Sequence, residues 1–406
     1  MTDKVRILFV DDEPHVLNGL RRAIASSASE WDMVFCASGE EALALLDRTP
    51  FDVVVSDMRM PSIDGAQLLE LVRERHPATI RIILSGYADP NTILRTIGPA
   101  HAYLAKPCDS RAIANAIARP LALRRMMSNE GMHRAIGGLV NLPSLPKLFL
   151  EIEDELRSPA ASVRAVADII SRDIAMTAEI LKLTNSAFFS VGQRITSTLQ
   201  AVRTLGLETV QTLVLRTGIF RQFTQSSPQS VAMMAELTDH SLAIARLAET
   251  IAIDCGADAA TGKAASCAGM LCHLGMLVLL DSRPTEYRRI LAAVTADQPL
   301  DHLEKEAFGA DHALIGAYLL GLWGFSDQVV EAVALSCRPR RSAEQENVVL
   351  TALHAARVLG PPLPWLPTKQ RDVPGIDDRY LELCGRAGRL ENWAGLAATK
   401  EGEVKP

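Results

Sequence analysis

The chain has few aromatic residues, no paired cysteines and no dense run of basic residues. Aromatic residues make up 5% of the 406 residues and hydrophobic residues 48%, which favours cores built from Ala- and Leu-rich helices. The seven cysteines are scattered without a Cys-x-x-Cys pair, which argues against a disulfide framework or a zinc ribbon. A formal net charge of -6 without a dense Lys/Arg run argues against general affinity for nucleic acids.

We expect neither a secretory signal nor a membrane span. The first apolar run ends at Val10, is followed by two aspartates and has no small-residue cleavage site. The most apolar run lies between Lys263 and Asp281; it is short for a membrane span and contains His273. We therefore expect a buried helix there, and a cytoplasmic protein.

The first part of the chain alternates apolar, β-rich runs with helical patterns. Strands separated by single helices predict right-handed crossovers and a five-stranded parallel sheet with helices on both faces, which is a doubly wound α/β fold. One of the predicted helices covers 91–97. The five β-rich runs are 5–10, 31–37, 51–56, 80–85 and 101–105.

The remainder of the chain shows helical periodicity and no convincing strand, which predicts an all-α domain. A Gly- and Ser-containing stretch separates the two patterns, and a proline-rich loop interrupts the helical part near its end. We predict an α/β domain over 1–123, a helical linker or hinge over 124–138, a helical domain over 139–345 and a C-terminal helical extension over 346–406.

Polar side chains follow four of the predicted strands. Asp11 and Asp12 follow the first strand, and Asp57, Ser85 and Lys106 stand at the ends of the third, fourth and fifth. The carboxyl ends of parallel strands meet at one edge of a sheet, so these side chains should converge. Clustered carboxylates favour a hard cation such as Mg²⁺, and a carboxylate held there can attack a phosphoryl donor. Taken singly, each acidic residue could simply cap a helix.

The segments that carry these residues resemble the receiver domains of bacterial two-component response regulators. The matching stretches are "FVDDEP", "VVSDMRMPSIDG", "ILSGYAD" and "YLAKP", in the order of that family. The resemblance implies a CheY-like fold, a Mg²⁺ cofactor, and a sensor histidine kinase or phosphotransfer protein as partner. It implies phosphorylation of Asp57, Mg²⁺ binding by Asp11, Asp12, Asp57 and the backbone carbonyl of Arg59, and phosphoryl binding and switching by Ser85, Lys106 and Tyr103.

The helical part resembles the HDOD family, which is related to the metal-dependent HD hydrolases. The strongest matching stretches are "SRDIAMTAEILKLTNSAFF" and "TLGLETVQTLVL". The resemblance implies an HD-superfamily-like helical output domain. Independently of it, Asp173 is placed to cap a helix, and Trp365 and Trp393 are expected to pack the last segment onto the helical domain.

An HD hydrolase needs histidines and carboxylates from several helices to hold its metal. By the resemblance, His240 and His273 match two histidine positions, and His312 is a third histidine of this vestigial site. Leu274 replaces the aspartate that should follow His273, and a later aspartate is replaced by Ala356 or Arg357, depending on the alignment. Ser336 and Cys337 stand where metal-dependent relatives have paired histidines.

We therefore expect no catalytic residue and no cofactor in the helical domain. We expect a response regulator in which phosphorylated Asp57 controls a non-catalytic HDOD output domain that binds a downstream signalling protein. The alternative is an HD-type phosphohydrolase or phosphodiesterase controlled by the receiver. Association into a homodimer is left open, and we expect neither a membrane nor a nucleic acid as partner.

Overall fold

The structure is a computed structural model of the 406-residue chain. The chain divides into two compact units, formed mainly by residues 1–141 and mainly by residues 142–406. The described residues are 4–25, 31–86, 99–107, 110–127, 132–133, 136, 139, 142–185, 194–215, 221–222, 228–295, 297–342, 347–363, 365–366, 372 and 375–401.

The first unit contains a five-stranded parallel sheet with the strand order β2-β1-β3-β4-β5. This order confirms the doubly wound α/β fold. The central strands are mostly apolar and almost fully buried, because helices cover both of their faces. The strands are β1 (Val5–Val10), β2 (Trp31–Cys36), β3 (Val53–Asp57), β4 (Ile80–Ser85) and β5 (Ala102–Ala105).

The helices of this unit begin at residues that suit helix starts. Pro14 stands at the first position of its helix, Ser38 caps the second, and Asp64 forms a capping box with Gln67 in the third. The predicted helix over 91–97 lies outside the described residues. The helices are α1 (Pro14–Ala25), α2 (Gly39–Arg48), α3 (Gly65–Arg75) and α4 (Ser110–Arg125).

The second unit is helical, as predicted. Asp173 accepts hydrogen bonds from the backbone N–H groups of Met176 (2.9 Å) and Leu145 (2.7 Å), which confirms it as a helix cap. Its helices are α5 (Pro146–Arg157), α6 (Val163–Ser171), α7 (Ile174–Thr184), α8 (Thr198–Leu205), α9 (Leu207–Leu215), α10 (Pro228–Asp254), α11 (Ala259–Leu271), α12 (Leu274–Ser282), α13 (Pro284–Ala292), α14 (Leu300–Phe308), α15 (His312–Leu322), α16 (Asp327–Leu335), α17 (Val348–Leu359), α18 (Asp378–Leu383) and α19 (Leu390–Glu401).

Two local features of this unit differ from the expectation. A parallel pair of two-residue strands, β6 (Pro143–Ser144) and β7 (Arg221–Gln222), occurs where no strand was expected, because a two-residue strand leaves no periodic pattern in a sequence. The apolar run near His273 is two helices rather than one, because the chain leaves α11 at Leu271 and restarts at Leu274. His273 is the N-terminal cap position of α12.

The segment Ala259–Ser282 is the one helical stretch among the described residues with the length and composition of a membrane span. In its most apolar window, 89% of the residues are buried inside the protein. It packs as a core element, as expected for the apolar run.

The end of the chain belongs to the same compact unit as the helices before it. Helix α17 packs against α10, α11 and α16, so the 346–406 segment supplies part of the helical core. The Trp393 side chain is fully buried and its Nε1–H donates to Asp254 at 2.8 Å, as expected for an anchor. Asn392 donates to the other oxygen of Asp254 at 3.1 Å.

Candidate functional sites

The carboxyl edge of the parallel sheet brings the predicted acidic and basic residues together. Asp11 directly follows β1, Asp57 is the last residue of β3, and Lys106 follows β5. The Lys106 Nζ atom donates to Asp11 Oδ2 at 2.6 Å and also to Asp57 Oδ1. A single ammonium group therefore bridges two carboxylates that would otherwise repel each other.

Asp57 is held in a defined orientation by this lysine and by the backbone. Its second oxygen accepts a hydrogen bond from the Arg59 N–H at 2.6 Å. Burial raises the pKa of Asp57 above its ordinary value, and the hydrogen bond and charge of Lys106 oppose that rise. Burial lowers the pKa of Lys106, but Asp11 and Asp57 outweigh it and raise that pKa above its ordinary value. The two groups thus stabilise each other in their charged forms.

The other predicted residues lie at or beside this edge. Ser85 ends β4, is 4% exposed, and accepts the Lys106 backbone N–H at 2.7 Å through its carbonyl. Tyr103 lies in β5 with its side chain buried in the apolar core of the unit. Asp12 is partly exposed, and Arg59 is exposed and follows β3 by two residues.

The chemistry of this edge fits a hard cation, although an ammonium group now lies between two of the carboxylates. Carboxylate and carbonyl oxygens, as on Asp11, Asp12, Asp57 and Arg59, are the ligands that Mg²⁺ prefers. In the part of the chain that the structure describes, no three His, Cys, Asp or Glu side chains are placed to hold a metal ion. Lys106 supplies a positive charge beside Asp11 and Asp57.

The helical unit gathers the three predicted histidines in its core. The rings of His240 (α10) and His273 lie 4.9 Å apart, and those of His273 and His312 (α15) lie 6.4 Å apart. All three side chains are buried. The resemblance therefore identified residues from separate helices that the fold brings together, although it could not show what they contact.

Arg357, not Ala356, reaches into this cluster from α17. Its guanidinium is buried and donates from Nη2 to His312 Nε2 at 3.1 Å and to Asp372. The other terminal nitrogen donates to Ser336 Oγ at 2.7 Å and to Cys337 Sγ at 3.4 Å. A cationic side chain thus contacts His312 directly and is linked to His273 through Asp372.

Asp372 is a carboxylate of this cluster that the sequence analysis did not single out. Its Oδ2 atom also receives a hydrogen bond from His273 Nε2 at 3.0 Å. Burial alone would raise the pKa of Asp372, but Arg357 and His273 hold it well below its ordinary value. The available signal was weak: a lone acidic residue in a proline-rich loop, 99 positions after His273.

The hydrogen bonds settle the proton positions on two histidines. Because the ionised Asp372 can only accept, His273 Nε2 carries a proton, and Nδ1 accepts from Ser241 Oγ at 2.8 Å. His240 Nε2 likewise donates to the Pro361 carbonyl at 2.7 Å. Burial lowers the pKa of His273 to about 3, against the opposing effect of Asp372. His273 is therefore neutral near pH 7.

His312 extends the buried network to two further helices. Its Nδ1 atom and its backbone N–H both donate to Glu304 Oε2, at 2.7 and 2.9 Å. The other oxygen of Glu304 accepts from the Tyr287 hydroxyl at 2.7 Å. Polar groups from α10 to α17 are thereby joined without contact with solvent.

This arrangement does not fit a metal ion. A metal ligand must offer a free lone pair, but the Nε2 atoms of His240 and His273 carry protons, and that of His312 accepts from Arg357. Asp372 Oδ2 already accepts from Arg357 and His273. The adjacent guanidinium would also repel a cation.

Comparisons with known proteins agree with this division of the chain. The profile of the response regulator receiver domain matches residues 7–118, and the profile of the HDOD domain matches residues 142–339. The hydrogenase transcriptional regulatory protein HoxA of Cupriavidus necator is 39% identical over 110 residues, which are 26% of this chain and 22% of that protein. An uncharacterised protein of Treponema pallidum is 27% identical over 195 residues, which are 48% of this chain and 37% of that protein.

Among solved structures, the chain is similar to the MmoQ response regulator of Methylococcus capsulatus. It is 25% identical, with a TM-score of 0.45, and the match covers 63% of this chain and 98% of that one. This chain spans well under two thirds of the two curated relatives above, 22% and 37% of their lengths.

Proposed function

This chain is a response regulator receiver domain followed by an HDOD domain, and we propose that phosphorylation of Asp57 controls a non-catalytic, protein-binding output domain. The receiver implies a kinase or phosphotransfer protein as the phosphoryl source. The non-catalytic part of the proposal rests on the buried Arg357 guanidinium, which donates to His312 and to Asp372.

The receiver edge supports a nucleophilic role for Asp57. Lys106 and the Arg59 N–H fix both oxygens of the carboxylate, and one of these oxygens attacks the phosphorus while the donor's leaving group departs. The product carries about two negative charges, so Lys106 is drawn towards the phosphoryl oxygens and its contact with Asp11 is weakened. The Ser85 side chain is the neighbouring hydroxyl that can donate to the same oxygens.

Mg²⁺ fits this step as a partner of Asp11, Asp12, Asp57 and the Arg59 carbonyl. When bound, the ion would supply positive charge that offsets the negative charge gathering at the phosphoryl group. The residues of the chain would keep their roles, with Asp57 as the nucleophile and Lys106 as the group that binds the phosphoryl oxygens.

Hydrogen exchange in the intact chain tests the control by phosphorylation. Addition of beryllofluoride and Mg²⁺ should mimic the phosphoryl group and change amide exchange in the helical unit of the wild type. Asp57→Ala should show no change under the same conditions, whereas Lys147→Ala, an exposed change in α5, should respond as the wild type does. Equal responses of wild type and Asp57→Ala would refute the proposed control.

A second candidate function is metal-dependent phosphohydrolysis, and it is favoured by the three clustered histidines. Hydrolysis of bis(p-nitrophenyl) phosphate with added Mn²⁺ separates the two functions. We expect no difference between wild type and His273→Ala above the background reaction. A Mn²⁺-dependent rate that His273→Ala abolishes would favour the hydrolase and overturn the proposed non-catalytic role.

A further inference from the structure

A second concave surface of the receiver lies at the edge of the sheet opposite to Asp57. It is a groove of about 970 Å³, formed at the amino ends of the strands, in the α3–β4 loop and at the end of α4. Lys4 precedes β1 and Asp52 precedes β3, whereas Asp57 ends β3. The length of β3 therefore separates the groove from Asp57 by roughly 15 Å.

The described lining of the groove carries an excess of positive charge. It includes five lysine and arginine side chains and two carboxylates, although the whole chain has a net charge of -6. The basic members are Lys4, Arg6, Arg75, Arg124 and Arg125, and the acidic ones are Asp32 and Asp52.

Both carboxylates are already engaged inside the groove. Asp52 accepts the Arg6 backbone N–H at 2.8 Å and pairs with Arg124, and Asp32 accepts from Arg6 Nε at 3.1 Å. These pairs neutralise Arg6 and Arg124. The surplus positive charge of the groove therefore comes from the other basic residues, on its rim.

Three exposed cations remain on the rim. Among the residues that the structure describes, Lys4 and Arg125 form no ion pair, and Arg75 approaches a carboxylate, Asp47, only at 3.8 Å. His76 lies in the same groove, and its Nε2 atom is buried without a hydrogen-bond partner. A ligand with several carboxylates would complement these groups.

Four apolar residues share the lining of the groove and are called its floor below. They are Pro50, Phe51, Pro77 and Met127, and Arg6 lies over the Phe51 ring at 4.9 Å. An apolar floor within a cationic rim suits a peptide that has one apolar side chain between acidic residues. The apolar side chain would contact the floor, and the carboxylates would contact the cations of the rim. A nucleic acid backbone would use the rim and leave the floor unused.

We propose that this groove binds an acidic peptide segment of a partner protein, anchored by one apolar side chain. The bound segment would contact the sheet and the last turn of α4 together. It would leave the phosphorylation edge accessible, since that edge lies at the other end of the strands. The receiver would thus have a docking site that does not compete with phosphoryl transfer.

Fluorescence anisotropy with the intact chain tests this proposal. The probe is a fluorescein-labelled octapeptide of glutamates with one central phenylalanine. The Lys4→Glu/Arg125→Glu variant should bind it about tenfold more weakly than the wild type. The matched control is Lys147→Glu/Arg164→Glu, which makes the same charge change at two exposed residues of the helical unit. The control should bind as the wild type does.

Three outcomes would overturn the proposal. An equal loss of binding in the control variant would show that net charge alone attracts the probe. Equal binding of a peptide with alanine in place of phenylalanine would show that the apolar floor is not used. Displacement of the probe by duplex DNA at a lower concentration than by unlabelled peptide would identify the groove as a nucleic-acid site.

Discussion

Arg357 has the most demanding environment of the residues in the histidine cluster. Removing a guanidinium from water is costly, and its charge must be compensated by a carboxylate and by well-placed hydrogen bonds. Asp372 supplies the charge, and His312, Ser336 and Cys337 accept the remaining terminal N–H groups. The planar fork of an arginine can serve these partners at once, which the single ammonium of a lysine cannot do.

Replacing Arg357 by methionine should strongly destabilise the helical unit. The change leaves Asp372 buried without its countercharge, which costs about 3–5 kcal/mol. Urea unfolding at pH 7 measures the loss. The matched control is Arg340→Met, which breaks an exposed pair with Asp377 and should cost no more than about 1 kcal/mol. Equal losses in the two variants would contradict the structural role of Arg357.

The neutral state of His273 should make the stability of the helical unit depend on pH. Its pKa is about 3 in the folded protein, so below the ordinary value of 6.5 the unfolded chain binds a proton that the folded chain does not. Stability is therefore lost as the pH falls from 6.5 towards 3. Between pH 7 and pH 5 this group alone should remove about 2 kcal/mol.

Comparison of wild type with His273→Gln isolates that contribution. Glutamine does not titrate, so the free energy of unfolding of the variant should fall by about 2 kcal/mol less between these two pH values. Urea unfolding at both pH values gives the difference. An equal fall in the free energy of unfolding of the two proteins would show that His273 is not held neutral.

The composition of the histidine cluster could be predicted only in part. His240, His273 and His312 were found through the family resemblance, and Arg357 was one of two candidates at its position. Asp372 was missed because contacts between residues far apart in the chain depend on the path of a loop, which no local pattern records. The tautomers of the histidines depend on such partners and could not be predicted either.

At the scale of single elements, helix α3 shows how closely the receiver packs around its phosphorylation site. The first residue of α3, Gly65, donates its N–H to the Met58 carbonyl at 3.0 Å. A Cβ atom at this position would lie 2.1 Å from the Asp57 carbonyl oxygen. The absence of a side chain at Gly65 therefore lets α3 begin directly beside the end of β3.

Gly65→Ala should destabilise the receiver, since backbone atoms must move to admit the methyl group, at a cost of about 1–3 kcal/mol. Gly19→Ala is the matched control, because a Cβ at this position in α1 has no neighbour within 4 Å. The control should be neutral or stabilising by up to about 1 kcal/mol. Thermal unfolding compares the stability of the two variants. A loss of stability in the control as large as that of Gly65→Ala would contradict the packing argument.

Long apolar runs were the most predictable elements. The strands Val5–Val10 and Ile80–Ser85 match their predicted bounds. A strand covered on both faces is apolar over most of its length, and Arg6 and Arg81 are the single charged residues in these two runs. The interruption at Cys272 and His273 was not foreseen, since both flanking segments are equally apolar. His273 at this break binds Ser241 and Asp372, which lie far away in sequence and leave no sign in the run itself.

At the scale of the whole molecule, each unit contains a cluster of charged side chains. The two clusters differ in how the charges are compensated. In the receiver, two carboxylates share the partly exposed Lys106, so their balance changes when a phosphoryl group is added. In the helical unit, Arg357 and Asp372 compensate each other away from solvent. The first cluster is suited to respond to a signal, whereas the second holds helices together. The Arg357–Asp372 pair is the basis of our proposal that the helical unit acts through binding rather than through turnover.

The transition-metal content of the intact chain, purified without chelator, tests this account most directly. An Asp12→Ala/Asp57→Asn variant removes two receiver carboxylates, so that any metal counted by mass spectrometry belongs to the helical unit. The account predicts no more than a trace of manganese, iron or zinc per chain in this variant. A near-stoichiometric amount that disappears on His273→Ala would contradict it, because the histidines would then form a working metal site.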